Sequence, residues 1–275
     1  MTKSISSFPE GGASPLSALR RSPVSVAALL LGATLVTWVI VVERMRGMDA
    51  GPGTDLGTIG WFVGSWVTMM AAMMLPSVAP MALLFAAVSR ERARRGGEHV
   101  PTSIFLGGYL AVWTMYGLLA YGVYRALRAI DLHLLAWSHH GPLVAGSVLV
   151  ATGVYQLTPF KRVCLRHCRS PLHYVLGGWR DGKAGAARMG IEHGAFCVGC
   201  CWGLMVVLFA LGAMSLVWMG IVAGLIFAEK VLPFGHRLTR VIAVSLAAAG
   251  IWVAVAPDSV PGLTQPGSSP PAAGS

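Results

Sequence analysis

The chain has 275 residues, 55% of them hydrophobic and only 12% charged, which is too few polar groups to cover a soluble globule of this size and reads instead as a polytopic membrane protein. Its formal charge of +10 is spread between apolar runs rather than gathered in one domain, which argues against nucleic acid and for the anionic inner leaflet of a lipid bilayer as the partner of the basic residues. All five cysteines fall between 164 and 201, a distribution unlike an extracellular disulfide framework and better suited to a reduced compartment or a bound metal.

Residues 1–22, rich in Ser, Gly and Pro, are expected to form a disordered cytoplasmic tail. The first apolar run, Val24 to Val42, is long enough to span and has no small-residue cleavage site, so it reads as an uncleaved helix. A second run, Ile59 to Val88, contains Met69-Met70-Ala71-Ala72-Met73-Met74-Leu75-Pro76 and a further Pro80, where a kink is expected. It is stopped by the arginines of 90–95. A third helix is predicted from Ser103 to Tyr124 and a fourth from Gly141 to Phe160, with His133, His139 and His140 in the loop between them. The fourth ends in Thr158-Pro159 and opens a basic connection to Arg188. The apolar stretch from Ala195 to Leu232 exceeds one span and divides into a hairpin at Gly212-Ala213-Met214-Ser215, with Gly199-x3-Gly203 and Gly220-x3-Gly224 allowing close approach of backbones. A seventh helix runs from about Thr239 to Ala256, and 257–275 reads as a second disordered tail. The transmembrane domain is thus 23–256, all-α, with about seven spans. Placing the N-terminus inside and the C-terminus outside puts 17 of the 21 Lys and Arg residues on the inner side, the asymmetry that orients inner-membrane proteins.

The chemistry concentrates where the fifth helix begins. At about 100° per residue, His193, Cys197 and Cys200 lie within roughly 60° of one another, with Cys201 at their edge. Thiolate and imidazole are ligands for zinc and for soft ions such as copper(I), and ionisable groups in a membrane span are functional candidates. Cys164, His167 and Cys168 leave the fourth helix on the same side, so the two clusters are able to meet. Met70 and Met73 share a helical face and add thioethers, which favour copper(I). Glu192 and Glu229 are placed to ligate, to orient a histidine, or to form salt bridges with local bases. Each group also has a plainer reading, since cysteine and methionine pack well inside helix bundles. No phosphate-cradling glycine loop, Ser/His/Asp ordering or H-E-x-x-H occurs, which weighs against an ATP-driven pump and a metalloprotease.

Several of these stretches together resemble a bacterial family of uncharacterised, predicted metal-binding integral membrane proteins. They are residues 69–76, Tyr155-Gln156-Leu157-Thr158-Pro159-Phe160-Lys161 with Cys164 and Cys168-Arg169, Gly190-Ile191-Glu192-His193-Gly194 with Cys197, Gly199 and Cys200-Cys201-Trp202, and Glu229-Lys230. The resemblance covers roughly 60 to 240 and implies a polytopic metal-binding protein, with no substrate. The leading expectation is handling of copper(I), with zinc second, by transport or by delivery involving a metallochaperone or an apo-metalloenzyme. The rivals are thiol-disulfide exchange through Cys197 and Cys200 and a cofactor-assembly role such as haem binding.

Overall fold

The structure, a computed structural model, describes residues 23–46, 57–129, 141–211 and 215–257. The loop with His133, His139 and His140 and the tails expected at 1–22 and 257–275 lie, save residue 257, outside the described residues. Among those described are nine helices and no strand: α1 (Pro23–Met45), α2 (Ile59–Arg94), α3 (Thr102–Ala129), α4 (Gly141–Gln156), α5 (Pro159–Arg169), α6 (Pro171–Gly177), α7 (Gly182–Leu211), α8 (Leu216–Val231) and α9 (Gly235–Val255). The chain is an all-α protein of the membrane type, as its composition requires.

Each of the seven expected apolar segments is helical, but they are not equal. Among the described residues five helices are long and apolar enough to cross a bilayer, and a sixth span results if α4 and α5, bent by 65° at their junction, are taken together. Helix α8, at 16 residues, is about 24 Å long and falls short of a hydrocarbon core of about 30 Å. Helix α2 goes the other way: its 36 residues continue through Pro76 and Pro80 and reach about 54 Å. Its last turns, with Arg92 and Arg94, carry it past the apolar layer.

Two boundaries differ from the expected ones for local reasons. The α4/α5 break follows from Thr158-Pro159. Proline disfavours helical geometry in the residue before it, and Thr158 is extended, with its hydroxyl accepting from Lys161 N at 3.3 Å as a cap. Helix α7 begins at Gly182, well before Ala195, because Ala184, Ala186 and Ala187 are strong helix formers. His193 therefore stands inside a 30-residue helix rather than at its mouth.

Helices α3 and α7 make one of the closest pairings. A Cβ at Gly108 would meet the Ala187 carbonyl, and one at Gly190 the Phe105 carbonyl, so only hydrogen fits there and the backbones touch. Helix α7 also packs on α4, α5 and α8, while α2 packs on α1, α3, α6 and α8. The small-residue pairs expected to join α7 to α8 work differently. Gly199 approaches Cys164 and Gly203 approaches Thr152, on α5 and α4, whereas Gly220 and Gly224 have nothing within 4 Å of an added Cβ.

Candidate metal centre

Helix α5 is strongly amphipathic. Lys161, Cys164, Leu165 and Cys168 recur at i, i+3, i+4 and i+7, the spacing of a buried stripe, and the first three are buried while Arg162, Val163 and Arg166 are exposed. That stripe lies against α7. Gly199 makes the fit possible, because a Cβ there would stand 2.7 Å from Cys164 Sγ. All five cysteines are free thiols, and they gather at this one interface.

At its centre Cys197, Cys200 and Cys201 bring three sulfurs within 4.8 Å of one another, the only such group of three or more potential metal donors among the described residues. Cys200 Sγ stands 3.1 Å from Cys201 Sγ and donates to the Cys197 carbonyl at 3.2 Å. Cys168 Sγ, from α5, is 3.9 Å from Cys200 Sγ. Each thiol of the triad is at most 1% exposed.

Three other helices complete the surroundings. Lys230, in the last turn of α8, is buried and donates to Cys197 Sγ at 3.0 Å and to Ser77 Oγ, on α2, at 3.2 Å. Tyr109, on α3, holds its hydroxyl 3.0 Å from the same sulfur. The neighbouring Glu229 is committed elsewhere: both its carboxylate oxygens accept from Lys161 Nζ, at 2.9 and 2.8 Å, in a pair whose side chains are each 1% exposed. Arg169, the last residue of α5, donates to the carbonyls of Glu229, Leu232 and Pro233. A guanidinium at a helix C-terminus satisfies its free carbonyls, and here it locks α8 to α5. Among the described residues no carboxylate pairs with Lys230, so this buried ammonium faces only a hydroxyl and sulfur.

The remaining sequence candidates are dispersed around this core. His193, one turn before Cys197, is buried against Tyr109, Phe105 and Tyr174, with ring centroids 5.8, 6.1 and 5.8 Å away, and its imidazole is not part of the triad. His167 stacks on Phe196 at 3.7 Å and meets Tyr174 edge-on at 4.6 Å. Burial pushes the Tyr174 phenol above its usual range, keeping it a donor to the Met189 carbonyl at 2.6 Å. Glu192 is taken by Arg180 and Arg188 at 2.9 and 3.1 Å. Met70 and Met73 are buried on α2, about two turns and one turn before the Ser77 that Lys230 contacts. Sequence reasoning missed Lys230, Tyr109, Ser77 and Lys161 as members of the site. A lysine beside a glutamate in an apolar run was the one available signal.

A family model described as PpoB2, copper chaperone, matches residues 63–253, a stretch that takes in every residue of the site. No curated protein and no solved structure matches the chain.

Proposed function

Because the chain belongs to the PpoB2 copper chaperone family, we propose that it carries copper(I) as cargo on the Cys197, Cys200 and Cys201 thiols within an inner-membrane helix bundle, and delivers it to an apo-metalloenzyme. The observation that carries this reading is the triad itself: three buried sulfurs within 4.8 Å, beside one buried ammonium. Soft thiolates select copper(I) among available ions. Delivery also requires release, and Cys168 at 3.9 Å from Cys200 gives a fourth thiol to which copper can shift without leaving sulfur.

Charge favours the same cargo. A cuprous ion with two thiolates carries a net charge of −1, which Lys230 cancels, leaving the buried group neutral. Burying an uncompensated charge costs several kcal/mol, so that cancellation contributes directly to affinity. Zinc prefers four ligands in structural sites; among the described residues no imidazole or carboxylate stands with the three sulfurs, so zinc would take Cys168 as a fourth thiolate and carry a charge of −2 that one ammonium cannot cancel. Thioether ligation by Met70 and Met73 would strengthen the preference for copper.

The redox reading is disfavoured by burial. Thiol-disulfide exchange needs a partner sulfur in contact with a thiolate, and none of the three triad sulfurs is reachable from solvent. With the N-terminus inside and the bent α4/α5 pair crossing as one span, α7 starts on the cytoplasmic side and the triad would lie toward it, where reduced copper is held by thiols. Protein purified from membranes should contain copper by elemental analysis, and Cys197→Ser and Cys200→Ser should each lower it sharply. Full occupancy in both variants would sink the proposal, and zinc in place of copper would reassign the cargo.

A further inference from the structure

The triad is sealed, so its cargo needs a route. Five buried side-chain nitrogen or oxygen atoms among the described residues have no hydrogen-bond partner, and two of them are His167 Nε2 and His193 Nδ1. A buried polar atom without a partner is costly and calls for a reason, an absent ion among them. These two differ from the others in position. Both imidazoles lie against the same ring, that of Tyr174. His193 also lies against Tyr109, whose hydroxyl is 3.0 Å from Cys197 Sγ. His167 immediately precedes Cys168, which reaches Cys200.

The result is a column of contacts, His167, Tyr174, His193, Tyr109, Cys197, leading from the half-buried α5/α6 elbow to the sealed sulfurs. The same elbow carries an open surface depression of about 560 Å³ lined by Arg169, His173, Leu176 and their neighbours. Neutral imidazole is a good ligand for copper(I) and a weaker one than thiolate, so the donors strengthen inward. Packing alone does not account for the pattern, since phenylalanine would fill these stacked positions without burying a lone pair.

Resting on the copper reading above, we propose that His167 and His193 are stepping ligands through which copper(I) passes between the α5/α6 surface and the thiol triad. No electron moves in the step. The Cu–N bond breaks as a Cu–Sγ bond forms, the imidazole is left neutral, and the proton displaced from the thiol is released to water.

The test uses the full chain in detergent, with copper(I) presented as its bicinchoninate complex, and reads uptake rate and equilibrium affinity separately. His167→Phe and His193→Phe keep an aromatic ring and remove the nitrogens; His167, half-buried and stacked on Phe196, is the position that tolerates the change better. Uptake should slow by roughly tenfold in each variant, equal to about 1.4 kcal/mol on the barrier, while affinity stays at the wild-type value. An unchanged rate overturns the relay. A fall in rate and affinity together also overturns it, because the imidazoles would then be supporting the triad. Wild-type protein that takes up no copper, or keeps it undiminished in Cys197→Ser, would instead remove the reading on which the relay rests.

Discussion

Lys230→Leu is the sharpest probe of the site, because leucine removes the charge and its donated hydrogen bonds while adding no sulfur that could itself bind copper(I). The ammonium lies 3.0 Å from Cys197 Sγ, and copper held by that sulfur and a neighbour would place the centre of a negative charge about 4–6 Å away. At an effective dielectric of 20, such a pair is worth about 3–4 kcal/mol; the variant's empty site escapes its loss by keeping the thiols protonated, so most of it, about 2–4 kcal/mol or roughly 30- to 800-fold in Kd, falls on the loaded state. The assay is competition for copper(I) against a chromophoric chelator, with detergent-solubilised protein. Folding should survive, since replacing a buried charge by an apolar residue of similar volume is commonly tolerated. An unchanged Kd in a variant of wild-type thermal stability would refute the reasoning, for the ammonium would then not be the counter-charge of the loaded site.

The buried pair of Lys161 and Glu229 predicts a second asymmetry: Glu229→Leu alone should cost about 3–5 kcal/mol, whereas Lys161→Met with Glu229→Leu should restore most of it, as read by thermal unfolding in detergent. Gly199→Ala drives a methyl to 2.7 Å from Cys164 Sγ and should destabilise by about 1–3 kcal/mol through displacement of α5, with copper retention falling alongside. Reporters fused after Arg95 and Arg188 should register the cytoplasm if the bent α4/α5 pair crosses as one span, and one after Ser275 the outer side if the 16-residue α8 also crosses; a cytoplasmic C-terminus would mean that α8 does not. Met70→Leu with Met73→Leu, nearly volume-neutral, should lower copper content if the thioethers ligate and leave it unchanged if they are packing.

The all-α class was legible because apolar runs of spanning length leave few alternatives to helices. The sulfur-bearing face of α7 was legible too, since helical periodicity alone gathers Cys197, Cys200 and Cys201. Periodicity could not give the surroundings of His193, because its angle relative to Cys197 says nothing about which neighbours meet it. Phe105, Tyr109 and Tyr174 enclose it, and they arrive from α3 and α6. Lys230 escaped for a related reason. A lysine next to Glu229 invites a local pairing, yet adjacent residues point to different sides of a helix. Glu229 turns to Lys161 and Lys230 to the sulfurs, a division fixed by how α8 packs on α5.

That division also sets how many protons a metal must displace. With Glu229 neutralised by Lys161, the buried group consists of Lys230 and its thiols, and it is uncharged when one thiol is ionised against the ammonium. Copper(I) adds one positive charge, so neutrality is kept by ionising one further thiol. Zinc adds two and requires two more, which would use every sulfur of the triad. Thiol ligands must lose their protons to bind, so the number released into weakly buffered solvent reports the charge balance directly. One proton per copper is expected for the wild type. In Lys230→Leu the empty site is neutral with all thiols protonated, so the same two-thiolate complex would release two. A count that does not change on removing Lys230 would mean that the ammonium and the sulfurs are not balanced against each other.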